Sequence, residues 1–460
     1  MASDRFGHQK YLPSRSCAAI FLCLLIAFIS FSSTRHSNVV WVWVGGVTAD
    51  SAVIKAKIEP DFSEAKLRVA REIGFGEKYV MERDAEADSD GIVAFSISGL
   101  KPDREYEYLV QTDEGSGLTG RFHTFADGPM SFRVGFASCA TTGSNHRIFS
   151  TLKNLQLHLF IHMGDFHYED IDRNDPFLFR RAYDRVLTSP RQGGFYRSTP
   201  IAYVWDDHDF GPDDADGTSP SKKAALQTYQ QCVPHYDLWP VSGEVGTIQQ
   251  AFTVGRVRFL LLDVRAERAP ANAPDGPDKT MLGKQQLQWL RRELKEARQR
   301  YPLVVLVNPV PWITKDNQGS GHGWAPYSHE RAVIANMIKE FDLVDRLLMF
   351  SGDGHMAAID DGTNSNYAGG EKSGEPAFPV IQAAPLDRYP RIKGGPYSHG
   401  VIAPYSWLRV FKARQFGMMN LEDDGDLIEI ELSCRNSKGE ILKNLVLKVE
   451  CNYDGCKTFN

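Results

Sequence analysis

Three short clusters of acidic residues and histidine are the residues best suited to chemistry in this 460-residue chain. They read Gly-Asp-Phe-His-Tyr-Glu-Asp at 164–170, Trp-Asp-Asp-His-Asp at 205–209 and Ser-Gly-Asp-Gly-His at 351–355. Each follows a short apolar run, which predicts a buried strand that ends where the cluster begins. Ligand sites of open α/β sheets lie just beyond the carboxyl ends of strands, so the clusters could meet at one site. Carboxylates with imidazoles suit Fe, Mn or Zn, and extra carboxylates suit Ca or Mg.

A single cluster of this kind has a simpler interpretation. An Asp-His pair at the end of a strand is commonly a capping or turn device. Three such pairs, each after an apolar run, favour a metal or catalytic site instead.

The elements that must position these clusters fall into two regions. Short alternating stretches separated by turn residues over 38–127 predict a β-sandwich, and Ala-Asp-Gly-Pro at 126–129 suggests its end. From residue 131 apolar strands alternate with helical stretches, of which 283–300 has the clearest apolar face. This pattern predicts an α/β domain over 128–460 whose last part is a pair of strands.

Composition excludes some classes of function. Hydrophobic residues make up 42% of the chain and charged residues 24%, as in a soluble globular protein. The net charge is -6 and the chain has no basic tract, so nucleic acid is not expected as a primary partner.

The N-terminal segment 1–37 differs from the rest. Lys10 and Arg15 precede an apolar run over 17–31, which is shorter than a full membrane span and predicts a signal peptide or an uncleaved signal anchor. We therefore expect a secreted or membrane-anchored protein that meets a membrane only through this segment. In such a compartment two of three C-terminal cysteines would pair, and the sequence leaves open which two: Cys434, Cys451 and Cys456.

Five motifs in fixed order connect the clusters to a known family. Phe-Ala-Ser-Cys at 136–139 precedes the first cluster, and Leu-Asp-Val-Arg at 262–265 lies between the second and third. Together the motifs resemble the alkaline phosphatase D (PhoD-like) family of the calcineurin-like metallophosphoesterase superfamily, over roughly 39–435. The resemblance implies a layered α/β/α metallophosphoesterase domain preceded by a fibronectin type III-like β-sandwich.

The resemblance also implies cofactors, namely a ferric ion together with calcium. It implies an iron site with thiolate and phenolate ligands, which are strong anionic donors for Fe(III). The implied iron ligands are Cys139, Asp165, Tyr168 and His355. Asp165 would also bridge to calcium, towards which Asp353 and Asp207 would point.

Two further residues are implied to act on the substrate. His208 would face the phosphate and stabilise either its charge or the leaving group, and Arg265 would contact phosphate through its guanidinium fork. The chain departs from the family pattern after the second cluster, where many members carry Asn. Asp213 or Asp214 could replace those amides, because carboxylate oxygens are better calcium ligands. The identity of the ion at the second site therefore stays open.

These residues predict a metal-dependent phosphatase in which activated water attacks small phosphate monoesters, with diesters as further candidates. One alternative is a diesterase acting on phospholipids, nucleotides or polymers. A second alternative is an inactive surface-binding module, against which the intact ligand set argues. The physiological substrate and the oligomeric state do not follow from the sequence.

Overall fold

The structure is a computed structural model that describes residues 37–71, 79–239, 246–314, 322–369, 374–375, 377–402, 414–452 and 455–459. The predicted leader over 1–37 lies, except for Ser37, outside the described residues. Among the residues that are described, no helix is both long enough and apolar enough to span a bilayer.

Seven strands, β1 to β7, form the N-terminal part of the fold. They are Val39–Gly45, Ala52–Ile58, Glu64–Ala70, Met81–Glu86, Ile92–Ile97, Glu105–Gln111 and Leu118–His123. Strands β1, β2 and β5 pair in one sheet, and β4, β3, β6 and β7 form a second sheet in that order. Burial alternates along β2, as expected for a strand with one face in a core. The predicted β-sandwich is confirmed.

The rest of the described chain alternates strands with helices. Strands β8 to β14 are Phe132–Ala137, Leu159–Met163, Ile201–Val204, Gln250–Val254, Val257–Leu261, Leu303–Asn308 and Leu347–Ser351. Strands β15 to β21 are Ala357–Asp360, Val380–Ala383, Val401–Ile402, Gln415–Asp423, Leu427–Asn436, Ile441–Asn452 and Gly455–Phe459. Helices α1 to α7 are Arg147–Asn154, Pro176–Leu187, Gln192–Tyr196, Asp207–Phe210, Lys222–Cys232, Gly283–Arg300 and Ser328–Glu340.

Two sheets make up the centre of this α/β region. One runs β21-β20-β19-β18-β8-β9-β10-β1-β2-β5, and the other runs β11-β12-β13-β14-β16-β15-β17. The sheets face each other, and Phe136 of β8 stacks on Phe350 of β14 with ring centroids 3.7 Å apart. Alternate residues of β13 point to opposite cores: Val305 packs towards the first sheet, whereas Leu306 packs with α6 and α7. The predicted α/β class with helices outside a β core is confirmed, and that core contains two sheets.

The sandwich strands continue directly into the larger sheet. Strand β1 pairs in parallel with β10 through Gly45 and Ile201. The indole of Trp43 donates to the carbonyl of Cys232 at 2.8 Å, and the Tyr108 hydroxyl donates to the carbonyl of Arg197 at 2.8 Å. The boundary between 127 and 128 stays a prediction. The two regions are joined by these hydrogen bonds, one buried and one partly buried.

The C-terminal cysteines differ in state. Cys434 is a buried free thiol, and Cys451 is disulfide-bonded. The register of β20 and β21 places Cys451 opposite Cys456. Cys434 is therefore not one of the two cysteines that pair.

Candidate metal centre

The predicted clusters follow strands that end side by side. Strands β8, β9 and β10 are parallel neighbours, and β14 ends opposite them in the facing sheet. The backbone N–H of Ala140 donates to the carbonyl of Asp165 at 2.9 Å, which joins the first two turns. The N–H of Asp353 donates to Oγ of Ser138 at 2.9 Å, which joins the third turn. The sheet order therefore brings residues more than 200 positions apart into one site.

The turns themselves use unusual backbone conformations. Four of the predicted metal ligands have φ between 50° and 64°: Cys139, Asp165, Asp353 and His355. This left-handed region is uncommon for residues other than glycine, and it lets each strand turn sharply so that its side chain points into the site. Gly164 permits a further close approach, because a methyl group added there would lie 2.3 Å from Cβ of Asp206.

One buried group contains four of the predicted ligands. Side-chain atoms of Cys139, Asp165, Asp353 and His355 all lie within 4.8 Å of one another. The Tyr168 hydroxyl donates to Oδ2 of Asp165 at 2.6 Å, so this phenol belongs to the same site. The site therefore contains a thiol, carboxylates, an imidazole and a phenol, the ligand types that the family resemblance implies for iron.

The electrostatics of this group favour a bound cation. Burial, reinforced by Asp165 and Asp353, raises the pKa of the Cys139 thiol well above its ordinary value. Burial and the neighbouring Asp207 raise the pKa of Asp165 to about 8. Oδ1 of Asp165 and Oδ2 of Asp353 are buried without a hydrogen-bond partner. Buried carboxylate oxygens are normally paired or bind metal, so the residues present fit a metal ion.

His355 is oriented as metal-binding histidines usually are. Its Nδ1 lies 2.6 Å from the backbone carbonyl of Tyr389, to which it can donate. That bond leaves the lone pair on Nε2, the nitrogen that can bind a metal. Burial lowers the pKa of His355 to about 4, which keeps the imidazole neutral.

Two further groups extend the site. One contains Asp165, Asp207 and His208, and the other contains Asp207, Asp214 and His322. Asp165 thus belongs both to the first group and to the group with His208, and Asp207 belongs to both of the further groups. Oδ1 of Asp207 is also buried without a hydrogen-bond partner. The side chain of His322, which carries no motif in the sequence, lies 3.2 Å from Oδ1 of Asp214.

The guanidinium of Arg265, which was predicted to contact phosphate, lies among buried carboxylates. Its side chain is completely buried, with Nε 2.6 Å from Oδ1 of Asp206 and one terminal nitrogen 3.7 Å from Oδ1 of Asp207. Burial alone would raise the pKa of Asp207, but Arg265 and His208 hold it well below its usual value. Arg265 has no face open to a substrate, and its observed contacts are with the carboxylates beside the site.

His208 lies at the edge of the site between two carboxylates. Its Nδ1 is 2.5 Å from Oδ1 of Asp170, and its Nε2 is 3.4 Å from Oδ1 of Asp213. The ring packs on Tyr168 with centroids 4.1 Å apart. Burial alone would lower the pKa of His208, but the hydrogen bond to Asp170 and the adjacent carboxylates raise it to about 10. The imidazole can therefore carry a proton.

Two basic side chains that the sequence analysis missed also reach the centre. The guanidinium carbon of Arg388 lies 3.8 Å from the centroid of the Tyr168 ring, and its Nε is buried without a hydrogen-bond partner. Nζ of Lys393 lies 2.6 Å from Oδ1 of Asp353. Both belong to a loop whose backbone bonds to Gly354 and His355. The only signal in the sequence was the spacing of three basic residues within 388–393.

The comparisons with known proteins agree with this geometry. The sequence profile of the family described as PhoD-like phosphatase matches residues 134–426, more than half of the chain. The alkaline phosphatase D of Bacillus subtilis (strain 168) is 22% identical over 374 residues, which are 68% of this chain and 63% of that relative. The chain thus spans less than two thirds of the length of this relative.

Two solved structures share the fold. The structure of PhoD superposes with a TM-score of 0.69 at 18% identity and covers 94% of this chain and 93% of that one. The purple acid phosphatase PPD1 from yellow lupin seeds gives a TM-score of 0.59 at 13% identity over 91% of this chain and 76% of that one. With the profile match, these findings show that the chain belongs to the PhoD-like phosphatase family.

Proposed function

We propose that this protein is a metal-dependent phosphatase that hydrolyses small phosphate esters, with monoesters as the expected substrates. The observation that carries the proposal is the buried group of Cys139, Asp165, Asp353 and His355 beside Tyr168. Its unpaired carboxylate oxygens also argue against an inactive binding module, because such a module would gain nothing from burying them.

The residues would divide between two ions. Cys139, Asp165, Tyr168 and His355 would hold Fe(III), while Asp165, Asp207 and Asp353 would hold calcium with help from Asp214 or His322. When bound, the ions would activate water and neutralise charge on the phosphoryl oxygens.

The chain's own side chains would do the remaining work. His208, protonated and held by Asp170, would give its proton to the departing alcohol oxygen. Arg388, with an unpaired Nε beside the centre, would contact the phosphate in the role expected of Arg265. Arg265 would instead keep Asp207 ionised and correctly oriented.

Iron and phosphatase activity can be tested together on purified protein. We expect about one iron per chain, a visible charge-transfer band, and phosphate release from monoesters faster than from diesters. Tyr168→Phe should shift or remove the band because the phenolate is lost, while Tyr389→Phe, a change at an exposed tyrosine nearby, should leave it unchanged. An iron-free, colourless and fully active protein would contradict the iron assignment, and no release from any ester would contradict the function.

Calcium can be tested by selective chelation. We expect a calcium chelator to lower activity and added calcium to restore it, with the iron band retained. Asp214→Asn should weaken calcium affinity about tenfold, whereas Asp278→Asn, a change at an exposed carboxylate outside the site, should have no effect. Restoration by Zn or Mn but not by calcium would show that His322 helps to hold a transition metal instead.

Arg388 can be separated from Arg265 by kinetics. A hydrogen bond to a charged group is worth about 1.5–3 kcal/mol, so Arg388→Ala should raise KM and weaken inhibition by phosphate about 10- to 100-fold. Arg391→Ala removes an exposed cation of the same loop and should change either constant by less than about threefold. If both variants had equal effects, phosphate binding would depend on the positive charge of the loop as a whole and not on a specific contact with Arg388.

A further inference from the structure

A second polar cavity lies far from the candidate metal centre. It has a volume of about 180 Å³ and is bordered by β6 and β7 of the four-stranded sheet and by β8 of the ten-stranded sheet. Ser198, Thr199 and Pro200, which precede β10, also line it. The metal centre lies beyond the carboxyl ends of β8, β9 and β10, whereas this cavity lies at their amino ends. We call it the seam pocket.

The seam pocket carries more positive than negative charge. Arg121 and Arg133 line it, and Glu105 is the carboxylate among its lining residues. Within the described part of the chain, Arg133 has no carboxylate within ion-pair distance, and the nearest contact of Arg121 with Glu105 is 3.7 Å. The lining of the pocket is therefore positively charged, although the net charge of the whole chain is -6.

The pKa values of two neighbouring groups are lowered, as expected where burial and nearby cations act together. Burial, followed by Arg197 and Arg121, lowers the pKa of Lys153. Burial, followed by His123 and Arg133, lowers the pKa of His158 to about 4. Like charges facing each other are unfavourable unless an anion lies between them.

The pocket also offers neutral donors. Nδ1 of His158 accepts from the backbone N–H of Arg133 at 3.2 Å, so the neutral ring carries its proton on Nε2. Thr199 is only 3% exposed, and its hydroxyl has no hydrogen bond with the described residues. Two guanidinium groups, an imidazole N–H and a hydroxyl together match the oxygens of a tetrahedral oxyanion.

The size of the cavity limits which ligands it can hold. A volume of about 180 Å³ has room for several waters or for one phosphate-sized ion. We propose that the seam pocket is a second binding site for a small tetrahedral oxyanion such as inorganic phosphate. A bound anion would link the sandwich to the ten-stranded sheet across β7 and β8.

The test is the stoichiometry of phosphate binding to the full-length holoenzyme by equilibrium dialysis with labelled phosphate. We expect two phosphates per chain, and one after the paired changes Arg121→Gln and Arg133→Gln, with turnover of nitrophenyl phosphate within about twofold of wild type. Arg291→Gln, at an exposed arginine elsewhere, should retain two. Asp165→Asn should retain one, and that phosphate should disappear when the two arginine changes are added.

This design keeps the seam pocket separate from the proposed function. If the metal centre binds no phosphate, wild type binds one and the arginine changes still remove it. If the arginine changes leave the stoichiometry of wild type unaltered, the seam pocket is not an anion site. Should the double variant fold poorly, Thr199→Val removes a single donor and should weaken the second binding step at least threefold, and an unchanged second step would overturn the proposal.

Discussion

Asp165→Asn should lower kcat/KM by about 10³-fold or more and remove metal from the protein. Asp165 belongs to two of the candidate metal groups, and its Oδ1 is buried without a hydrogen-bond partner. Metal ions contribute several kcal/mol to phosphoryl transfer, and each 1.36 kcal/mol is a factor of ten in rate. Metal analysis and phosphate release measured on one preparation check this result. Wild-type turnover in the variant would contradict the assignment of Asp165 as a metal ligand.

The same variant should keep its fold. The Asn amide oxygen can still accept from the Tyr168 hydroxyl. In the metal-free protein the pKa of Asp165 is raised from 3.8 to about 8 by burial and Asp207, so the folded state loses stability as pH rises between these values. Asn cannot ionise, so Asp165→Asn removes this loss of stability with rising pH. The metal-free variant should therefore have a Tm at pH 8 equal to or above that of metal-free wild type.

A matched control is Asp209→Asn. The carboxylate of Asp209 is also buried, but it accepts from the backbone N–H groups of Phe166 and Asp206 and from the Tyr203 hydroxyl. An amide cannot accept all three, so this variant should lose about 1–3 kcal/mol of unfolding free energy. A large fall in Tm for Asp165→Asn, with none for Asp209→Asn, would contradict this prediction. Asp165 would then be the residue needed for stability, and Asp209 would not.

His208→Ala should lower kcat by about 10²- to 10⁴-fold and leave iron near its wild-type content. His208 is placed to give a proton, because Asp170 and Asp213 flank its two nitrogens. The loss should be smaller for nitrophenyl phosphate than for an alkyl phosphate, because nitrophenolate departs with little proton help. Asp170→Asn should show the same dependence on the leaving group with a smaller loss, since the imidazole remains.

Two results would change this role. Loss of metal in His208→Ala would make the histidine a ligand, as its group with Asp165 and Asp207 allows. Equal losses for both substrates would mean that His208 stabilises phosphoryl charge and does not protonate the leaving group.

The parts of the fold that were predictable are those encoded by local pattern. Alternation of apolar and polar residues predicted strands such as β2, but β4 was missed because its sequence, Met-Glu-Arg-Asp-Ala-Glu, lacks this alternation. The α/β region was predicted as a class, whereas the pairing of β1 with β10 was not, because contacts between distant segments leave no local pattern.

The candidate site likewise has residues that could be predicted from sequence and residues that could not. The resemblance to the family implied Cys139, Asp165 and His355 as metal ligands, and the structure brings them together. Arg265 belongs to a motif as well, but only tertiary structure shows that its guanidinium is buried against Asp206. Arg388 reaches the site from a loop without a motif, so its contact with Tyr168 could not be anticipated from sequence.

The left-handed backbone at four of the ligands restricts how the metal centre can diverge in evolution. Positive φ is tolerated by Gly and, less well, by Asn and Asp, whereas β-branched or bulky residues adopt it only with strain. Replacing Cys139 or His355 with a donor residue other than Asp, Asn or His therefore demands a change of backbone as well as of ligand. Tyr168 and Asp207 do not have positive φ. Changes in metal preference among relatives should therefore accumulate at these two positions, while the other four stay fixed.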